Sequence, residues 1–148
     1  MSETIGFLLN DTARLFRRSF NARTRDSGIT ALQWRLITYL KRHEGIRQGP
    51  LAELIEVEPI TLSRMVDRLV EAELVERRAD PADRRSWRLF LTDKAQALLA
   101  ELRPLAEAML EEALEGIDEA DRALLRETLE RMRANLSRRP AEPLVSHG

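Results

Sequence analysis

Hydroxyl and guanidinium groups share one face of a helix that is predicted between residues 59 and 73. Thr61, Arg64 and Arg68 recur at positions i, i+3 and i+7, and Ser63 lies near the start of the helix. The opposite face is an apolar stripe of Leu62, Met65, Val66, Leu69 and Val70. Arginine forks bond guanine edges, and short hydroxyls bond bases or phosphates. The spacing therefore indicates a helix whose N-terminal end enters a major groove; the alternative is a solvated charged face.

A second basic group lies on a predicted β-hairpin. Its strands are expected at residues 75–78 and 87–91, and the Asp80-Pro81 pair between them is a turn signal. Arg84 and Arg85 project from this turn, where they can reach a minor groove or its phosphates. Asp83 is expected to pair with Arg77 or Arg85 and to hold the shape of the loop. The alternative is an ordinary charged hairpin.

The elements around these residues form a recognisable order. Helical spacing and capping signals predict helices over residues 3–24, 31–43, 50–56, 59–73, 94–116 and 119–137. The second, third and fourth helices together with the hairpin make a winged helix-turn-helix. We therefore expect a mainly α fold with a small β-hairpin wing and with long N- and C-terminal helices.

The chain has 148 residues, which predicts a single domain spanning 1–148. Its DNA-binding lobe is expected over residues 30–92, flanked by dimerisation helices at 1–28 and 94–137, and residues 138–148 are expected to be a flexible tail. Leucine-rich stripes on the first, fifth and sixth helices exceed what one small winged domain can cover, so a homodimer is predicted. The alternative is that these helices fold back on their own domain.

Composition excludes several classes of function. There is no cysteine, so disulfides, thiolate nucleophiles and cysteine-type zinc sites are absent. His43 and His147 are far apart, and we predict no metal, no cofactor, no catalytic residues and no enzymatic activity. No apolar stretch approaches the ~20 residues of a membrane span, and no signal peptide is apparent, so a cytoplasmic location without membrane partners is expected.

The net charge of −1 conceals regions of opposite sign. Residues 14–25 carry five arginines and no acid, and residues 77–88 carry five arginines against two aspartates. Residues 101–130 carry ten acids against three arginines. This asymmetry predicts that one face of the protein meets a polyanion. The acidic segment also supports the alternative of a winged-helix protein-interaction module without specific DNA binding.

The run EPITLSRMVDRLVEAELVERRADPADRRSWRLFLT resembles the recognition helix and wing of the MarR (multiple antibiotic resistance regulator) transcriptional regulators. Its most specific part is Asp83-Arg84-Arg85 followed by Leu91-Thr92, and the resemblance extends over about residues 5–137. It implies a bacterial, homodimeric, sequence-specific regulator of double-stranded DNA with a pseudo-palindromic operator, acting as a repressor released by a small ligand. It further implies that Arg85 enters the minor groove and that Arg77 pairs with Asp83.

This chain departs from the family where the fourth helix ends. Many members have glycine at that point, whereas this sequence has Ala72-Glu73-Leu74. A left-handed cap would be strained at Glu73, so the end of the helix is expected to differ.

Four further residues suggest a ligand pocket. Arg14 and Arg17 lie one turn apart on the first helix, and Trp34 and Thr38 lie one turn apart on the second. If these faces meet, they offer a guanidinium for a carboxylate or phenolate and an indole face for a ring. The family resemblance implies the same class of effector, a small aromatic or phenolic acid. The alternative is that Trp34 is core and both arginines are surface.

Overall fold

The computed structural model of the protein describes residues 2–138, within which six α-helices and one two-stranded hairpin are found. The helices are α1 (Ile5–Arg23), α2 (Ala31–Arg42), α3 (Gln48–Ile55), α4 (Pro59–Glu71), α5 (Asp93–Ala113) and α6 (Glu119–Arg138), and the strands are β1 (Val75–Ala79) and β2 (Trp87–Leu91). This confirms the predicted mainly α fold with a hairpin wing. Apart from Arg138, the predicted flexible tail lies outside the described residues.

The start of α2 follows directly from local sequence. The hydroxyl of Thr30 accepts a hydrogen bond from the backbone N–H of Gln33 at 3.1 Å, and the side chain of Gln33 accepts one from the N–H of Thr30 at 2.9 Å. This reciprocal pair is the predicted capping box. It satisfies two backbone donors that the helix itself cannot pair, and so it fixes where α2 begins.

Helices α3 and α4 both end on a glutamate in the left-handed conformation, Glu56 (φ 54°) and Glu73 (φ 62°). After Glu73, the N–H of Leu74 donates to the carbonyl of Leu69 at 2.8 Å, and the N–H of Glu73 donates to that of Val70 at 3.0 Å. These are the two hydrogen bonds of a Schellman motif. The expectation that Glu73 would avoid a left-handed cap is therefore wrong, because hydrogen bonding and the buried Leu74 outweigh the local strain.

The hairpin, which we call the wing, pairs β1 with β2 in antiparallel register, with Arg77 opposite Leu89 and Ala79 opposite Trp87. The segment before α3 adds an isolated bridge from Arg47 to Arg88, which sequence analysis did not predict. This extra pairing attaches the outer part of the wing to the start of α3.

A single apolar cluster holds these elements together within residues 2–109. Its fully buried members come from α2, α3, α4 and the wing and include Leu36, Leu40, Leu51, Ile55, Leu62, Val66 and Leu89. Truncating a core leucine to alanine typically costs about 2–5 kcal/mol. The cluster therefore fixes the orientation of α4 and leaves its opposite face in solvent.

The wing passes into α5 through a short polar junction. The hydroxyl of Thr92 donates to the carbonyl of Glu73 at 2.6 Å and accepts from the N–H of Ala95 at 3.1 Å. The ammonium of Lys94 donates to the carbonyl of Ala72 at 3.0 Å. Thr92 therefore caps α5, as predicted, and the same junction satisfies carbonyls at the end of α4.

Residues 110–138 form a second compact unit that contains the end of α5 and all of α6 described here. Asp118 caps α6 by accepting from the N–H of Asp121 at 2.9 Å. Arg122 donates to the Glu111 carboxylate at 2.9 Å and to the Leu114 carbonyl at 3.0 Å, which fixes the turn between the two helices. None of the helices in the described part of the chain is long and apolar enough to cross a membrane.

Candidate nucleic-acid interface

Helix α4 presents the predicted polar face to solvent. Thr61, Arg64 and Arg68 are exposed and Ser63 is half-buried, whereas the stripe from Leu62 to Leu69 is buried. Pro59 occupies the first turn, and the N-cap residue Glu58 makes no side-chain capping bond. The first backbone amides of the helix therefore have no partner within it and point outward with the positive end of its dipole. This arrangement suits the binding of an anionic or hydrogen-bond-accepting ligand at the N-terminal end of α4.

Arg77 fixes the wing against α3 and α4. Its guanidinium forms an ion pair with Asp67 at 2.6 Å and donates to the side-chain oxygen of Gln48 at 2.9 Å and to the carbonyl of Ser63 at 3.4 Å. The predicted pairing of Arg77 with Asp83 is therefore wrong. Strand β1 directs the side chain of Arg77 toward α4. There the guanidinium meets Asp67, which lies one turn after Ser63 in the helix.

The wing loop carries the two exposed arginines Arg84 and Arg85. Asp83 shapes this loop, since its carboxylate accepts from the backbone N–H of Arg85 at 3.0 Å and from the hydroxyl of Ser86 at 3.2 Å. A short acceptor that bonds the chain two residues ahead makes a tight Asx turn. Asp83 thus acts on the backbone of the loop and leaves both guanidinium groups in solvent.

Asp80 is a buried carboxylate at the base of the wing loop. Sequence analysis identified it only as part of a turn signal. Asp80 is 1% exposed and accepts from Nε of Arg47 at 2.8 Å and from the N–H of Ala82 at 2.8 Å. Nε of Arg88 lies 3.2 Å from the same carboxylate. Asp80 therefore lies against two half-exposed arginines, Arg47 and Arg88, and this cluster of three side chains has a net positive charge.

Hydrogen bonding keeps Asp80 ionised. The backbone N–H of Ala82 lowers the pKa of Asp80 most, and Arg47 and Arg88 lower it further against the opposing effect of burial. The Asp-Pro pair was a visible signal for the turn. The partner Arg47, 33 residues earlier, had no local signal.

The proposed ligand residues are only partly brought together. Trp34 and Thr38 line a cavity of about 140 Å³ between α2 and α5, whose other lining residues are Lys41, Leu99, Ala100 and Arg103. Arg14 and Arg17 are exposed on α1 and do not line it, and Arg14 pairs with Asp11 at 2.7 Å. The cations beside Trp34 are therefore Lys41 and Arg103, not the predicted arginines of α1.

No cluster of side chains suited to holding a metal ion occurs among residues 2–138. The features that converge are instead an exposed polar helix face, a wing fixed to that helix, and basic residues at its tip. Together these define a winged helix-turn-helix of the DNA-binding class.

Comparison with known proteins identifies the family. Residues 29–87 match the model of the MarR family. The chain is 36% identical to the solved transcriptional regulator PA3341, with a TM-score of 0.79, covering 92% of this chain and all of that one. The chain belongs to the MarR family and is a DNA-binding transcription regulator.

Two further similar proteins are a repressor and a DNA-binding protein that a small acid regulates. The transcriptional repressor NicR of Pseudomonas putida is 27% identical over 132 residues, which is 89% of this chain and 84% of NicR. BpsR of Bordetella bronchiseptica, whose DNA binding is regulated by 6-hydroxynicotinic acid, is 26% identical with a TM-score of 0.78, covering 90% of this chain and 95% of the BpsR chain. Family and fold are those of regulatory proteins.

Proposed function

We propose that the chain is a homodimeric repressor that binds a pseudo-palindromic operator in double-stranded DNA and is released by a small aromatic acid. The observation that carries the proposal is the attachment of the wing by Arg77 to Asp67 of α4 and to Gln48 of α3. A rigid pairing of helix and hairpin can engage adjacent major and minor grooves at once. NicR, a repressor by name, supports the direction of the regulation.

In this proposal α4 is the recognition helix and reads the major groove. Arg64 and Arg68 fork onto guanine edges, and Thr61 and Ser63 bond phosphates or bases near the helix N-terminus. Arg84 and Arg85 reach the minor groove from the wing loop, where the field of a narrow groove attracts guanidinium groups. Asp83 and Arg77 shape and fix the wing but do not contact DNA.

The homodimer is supported by apolar surface on the terminal helices. On α1 the exposed apolar residues are Ile5, Phe7, Leu8, Leu9 and Leu15, and on α6 they are Leu124, Leu125, Leu129 and Leu136. Burial of apolar surface releases about 25 cal/mol per Å². In the proposed dimer two copies of α4 meet half-sites about one DNA turn apart, which is why the operator is proposed to be pseudo-palindromic.

The effector is proposed to bind in the cavity beside Trp34 and Thr38. The indole offers a flat apolar face, and Lys41 and Arg103 offer positive charge to a carboxylate or phenolate. A site of this kind suits a small aromatic acid. Regulation of BpsR by 6-hydroxynicotinic acid supports this class of ligand.

The primary test is a salt titration of binding to duplex fragments recovered by genomic footprinting. For a repressor that contacts phosphates, the logarithm of the binding constant falls linearly as the logarithm of the salt concentration rises. Such a repressor also binds the footprinted fragment more tightly than a scrambled fragment of equal length. Salt-insensitive behaviour without sequence preference would instead favour the protein-interaction module that the acidic segment 101–130 suggests.

The dimer and the effector site are tested separately. Sedimentation of the full chain should give a dimer, and Leu129→Glu should shift it toward monomer, whereas Arg126→Ala, which alters a charged residue of α6 outside the leucine stripe, should not. With 6-hydroxynicotinic acid as the probe, Arg103→Gln should weaken release from DNA. Release that is unchanged in Arg103→Gln would remove this cavity as the effector site.

A further inference from the structure

Trp87 is an exposed tryptophan in the wing. It is the first residue of β2, directly after the loop that carries Arg84 and Arg85, and it is 48% exposed. The other of the two tryptophans, Trp34, packs against Phe20 with a 5.5 Å separation of the ring centroids. Tryptophan side chains are usually well buried, and those at surfaces mark interfaces where an apolar ring and a polar N–H are both used.

The register of the wing determines which way Trp87 faces. Directly paired residues of two strands share a face, and alternate pairs lie on the same side. Leu91 opposite Val75, Leu89 opposite Arg77, and Trp87 opposite Ala79 are therefore on one side. Leu89 and Leu91 are buried in the core, and Arg77 contacts α4. Trp87 thus lies on the side of the wing that faces α4, two residue pairs nearer to the loop than Arg77.

In a winged helix-turn-helix bound to DNA, one sugar-phosphate strand separates the major groove from the minor groove. In the proposed complex this strand runs past the outer end of the wing, beyond the contact of Arg77 with α4, and so close to Trp87. The charge around Trp87 suits a polyanion, because residues 77–88 carry five arginines against two aspartates.

We propose that Trp87 packs its indole on a deoxyribose of this strand and donates its Nε1–H to the adjoining phosphate. The proposal rests on the DNA binding proposed above and adds a residue that neither the motif nor the basic pattern identified. Tryptophan brings a large, rigid surface and one donor, and its indole cannot accept a hydrogen bond from a competing group.

A neutral hydrogen-bond donor can be distinguished from a charged one by how binding depends on salt concentration. Arginine contacts release counterions, so removing one lowers the slope of log K against log salt by about 1. Trp87 carries no charge and releases none. Its removal should therefore weaken binding by the same factor at every salt concentration and leave the slope unchanged.

The test compares Trp87→Ala, Trp87→Phe and Arg85→Ala by fluorescence anisotropy on a footprinted duplex over a series of salt concentrations. Because a hydrogen bond to a charged group is lost, we expect Trp87→Ala to lose about tenfold or more in affinity with an unchanged slope. Trp87→Phe keeps one aromatic ring and loses the N–H and part of the apolar surface, so its loss should be smaller than that of Trp87→Ala. Arg85→Ala is the matched control and should lower the slope.

A second measurement follows the fluorine resonances of the full chain with both tryptophans present, and a variant serves only to assign them. The protein is labelled with fluorotryptophan, and Trp87→Phe identifies which of the two fluorine resonances belongs to Trp87. Saturation with the duplex should shift that resonance and remove its sensitivity to exchange of H₂O for D₂O. A Trp87 resonance that stays unshifted and solvent-sensitive in a saturated complex overturns the proposal, as does wild-type affinity in Trp87→Ala. Absence of any duplex binding by the wild-type chain would overturn the proposed function as well, and so distinguishes the two failures.

Discussion

The guanidinium of Arg77, on the first strand of the wing, lies 2.6 Å from the carboxylate of Asp67 on α4. Arg77 is the better buried partner, with 23% of its side chain exposed against 57% for Asp67. The same guanidinium reaches Gln48 on α3. One side chain therefore sets the distance between the two elements that are proposed to enter neighbouring grooves, and its loss should affect both the stability of the fold and the binding of DNA.

Arg77→Ala is expected to lower the free energy of unfolding by about 1–3 kcal/mol, because Gln48 and the Ser63 carbonyl lose a charged donor. Urea unfolding followed by circular dichroism measures this. Arg78→Ala is the matched control: Arg78 is exposed, pairs with Glu76 at 3.2 Å and stacks on Phe90, so its loss should cost about 1 kcal/mol or less. Equal losses in the two variants would contradict the assigned role of Arg77.

Arg64→Ala is expected to weaken operator binding by about 1–3 kcal/mol and to relax specificity at one base pair in each half-site, since a fork onto a guanine edge is lost. Gel-shift titrations against a set of single-base operator variants measure both effects. Arg126→Ala, which removes an exposed arginine from α6, serves as the control for charge. If Arg64→Ala instead weakens binding equally on every sequence, Arg64 contacts a phosphate and not a base.

Asp80→Asn is expected to lower stability at neutral pH, because Arg47 and Arg88 lose their shared anion. The pKa of Asp80 is lowered in the folded protein, so the stabilising contribution of its charge is present above the unfolded-state pKa. It is lost as the pH falls below about 4 and through the lower folded-state value. Urea midpoints of wild type and Asp80→Asn should therefore converge in acid, and curves that stay parallel down to the lowest pH would count against this assignment.

Glu73→Gly is expected to stabilise the protein by about 1 kcal/mol, because a left-handed backbone is strained for glutamate and is natural for glycine. Glu71→Gly, two residues earlier in regular helix, is the matched control and should destabilise by about 1 kcal/mol. Thermal and urea unfolding measure whether each variant raises or lowers the free energy of unfolding. Destabilisation in both would mean that the left-handed geometry at Glu73 carries no strain.

Features that depend on residues within one turn could be predicted from the sequence. The capping box of Thr30 and Gln33, the cap of α5 at Thr92 and the polar face of α4 all follow from local spacing. The helix-turn-helix could be predicted for the same reason, since the apolar stripe of α4 and the short turn before it are adjacent in sequence. The third helix begins two residues before the predicted Pro50, which occupies its first turn, where a missing N–H costs nothing.

Contacts between distant segments could not be predicted. Asp67 and Asp83 were both plausible partners for Arg77, and only the packing of the wing on α4 decides between them. The position of Arg47 opposite Asp80 depends on a bridge between segments with no sequence signature. Helical phase correctly placed Trp34 and Thr38 on one side of α2, but it could not determine that Arg103 of α5, and not Arg14 or Arg17 of α1, would lie against them.

The junction formed by Thr92 and Lys94 has a mechanical consequence. Thr92 and Lys94, at the start of α5, bond the carbonyls of Glu73 and Ala72 directly after α4, and α5 also lines the cavity beside Trp34. Hydrogen bonds therefore join the start of α5 to the end of α4, although residues 72–92 lie between the two helices in the chain. If an effector bound in this cavity tilts α5, we expect these hydrogen bonds to carry the movement to α4, the helix on which Arg64 and Arg68 lie.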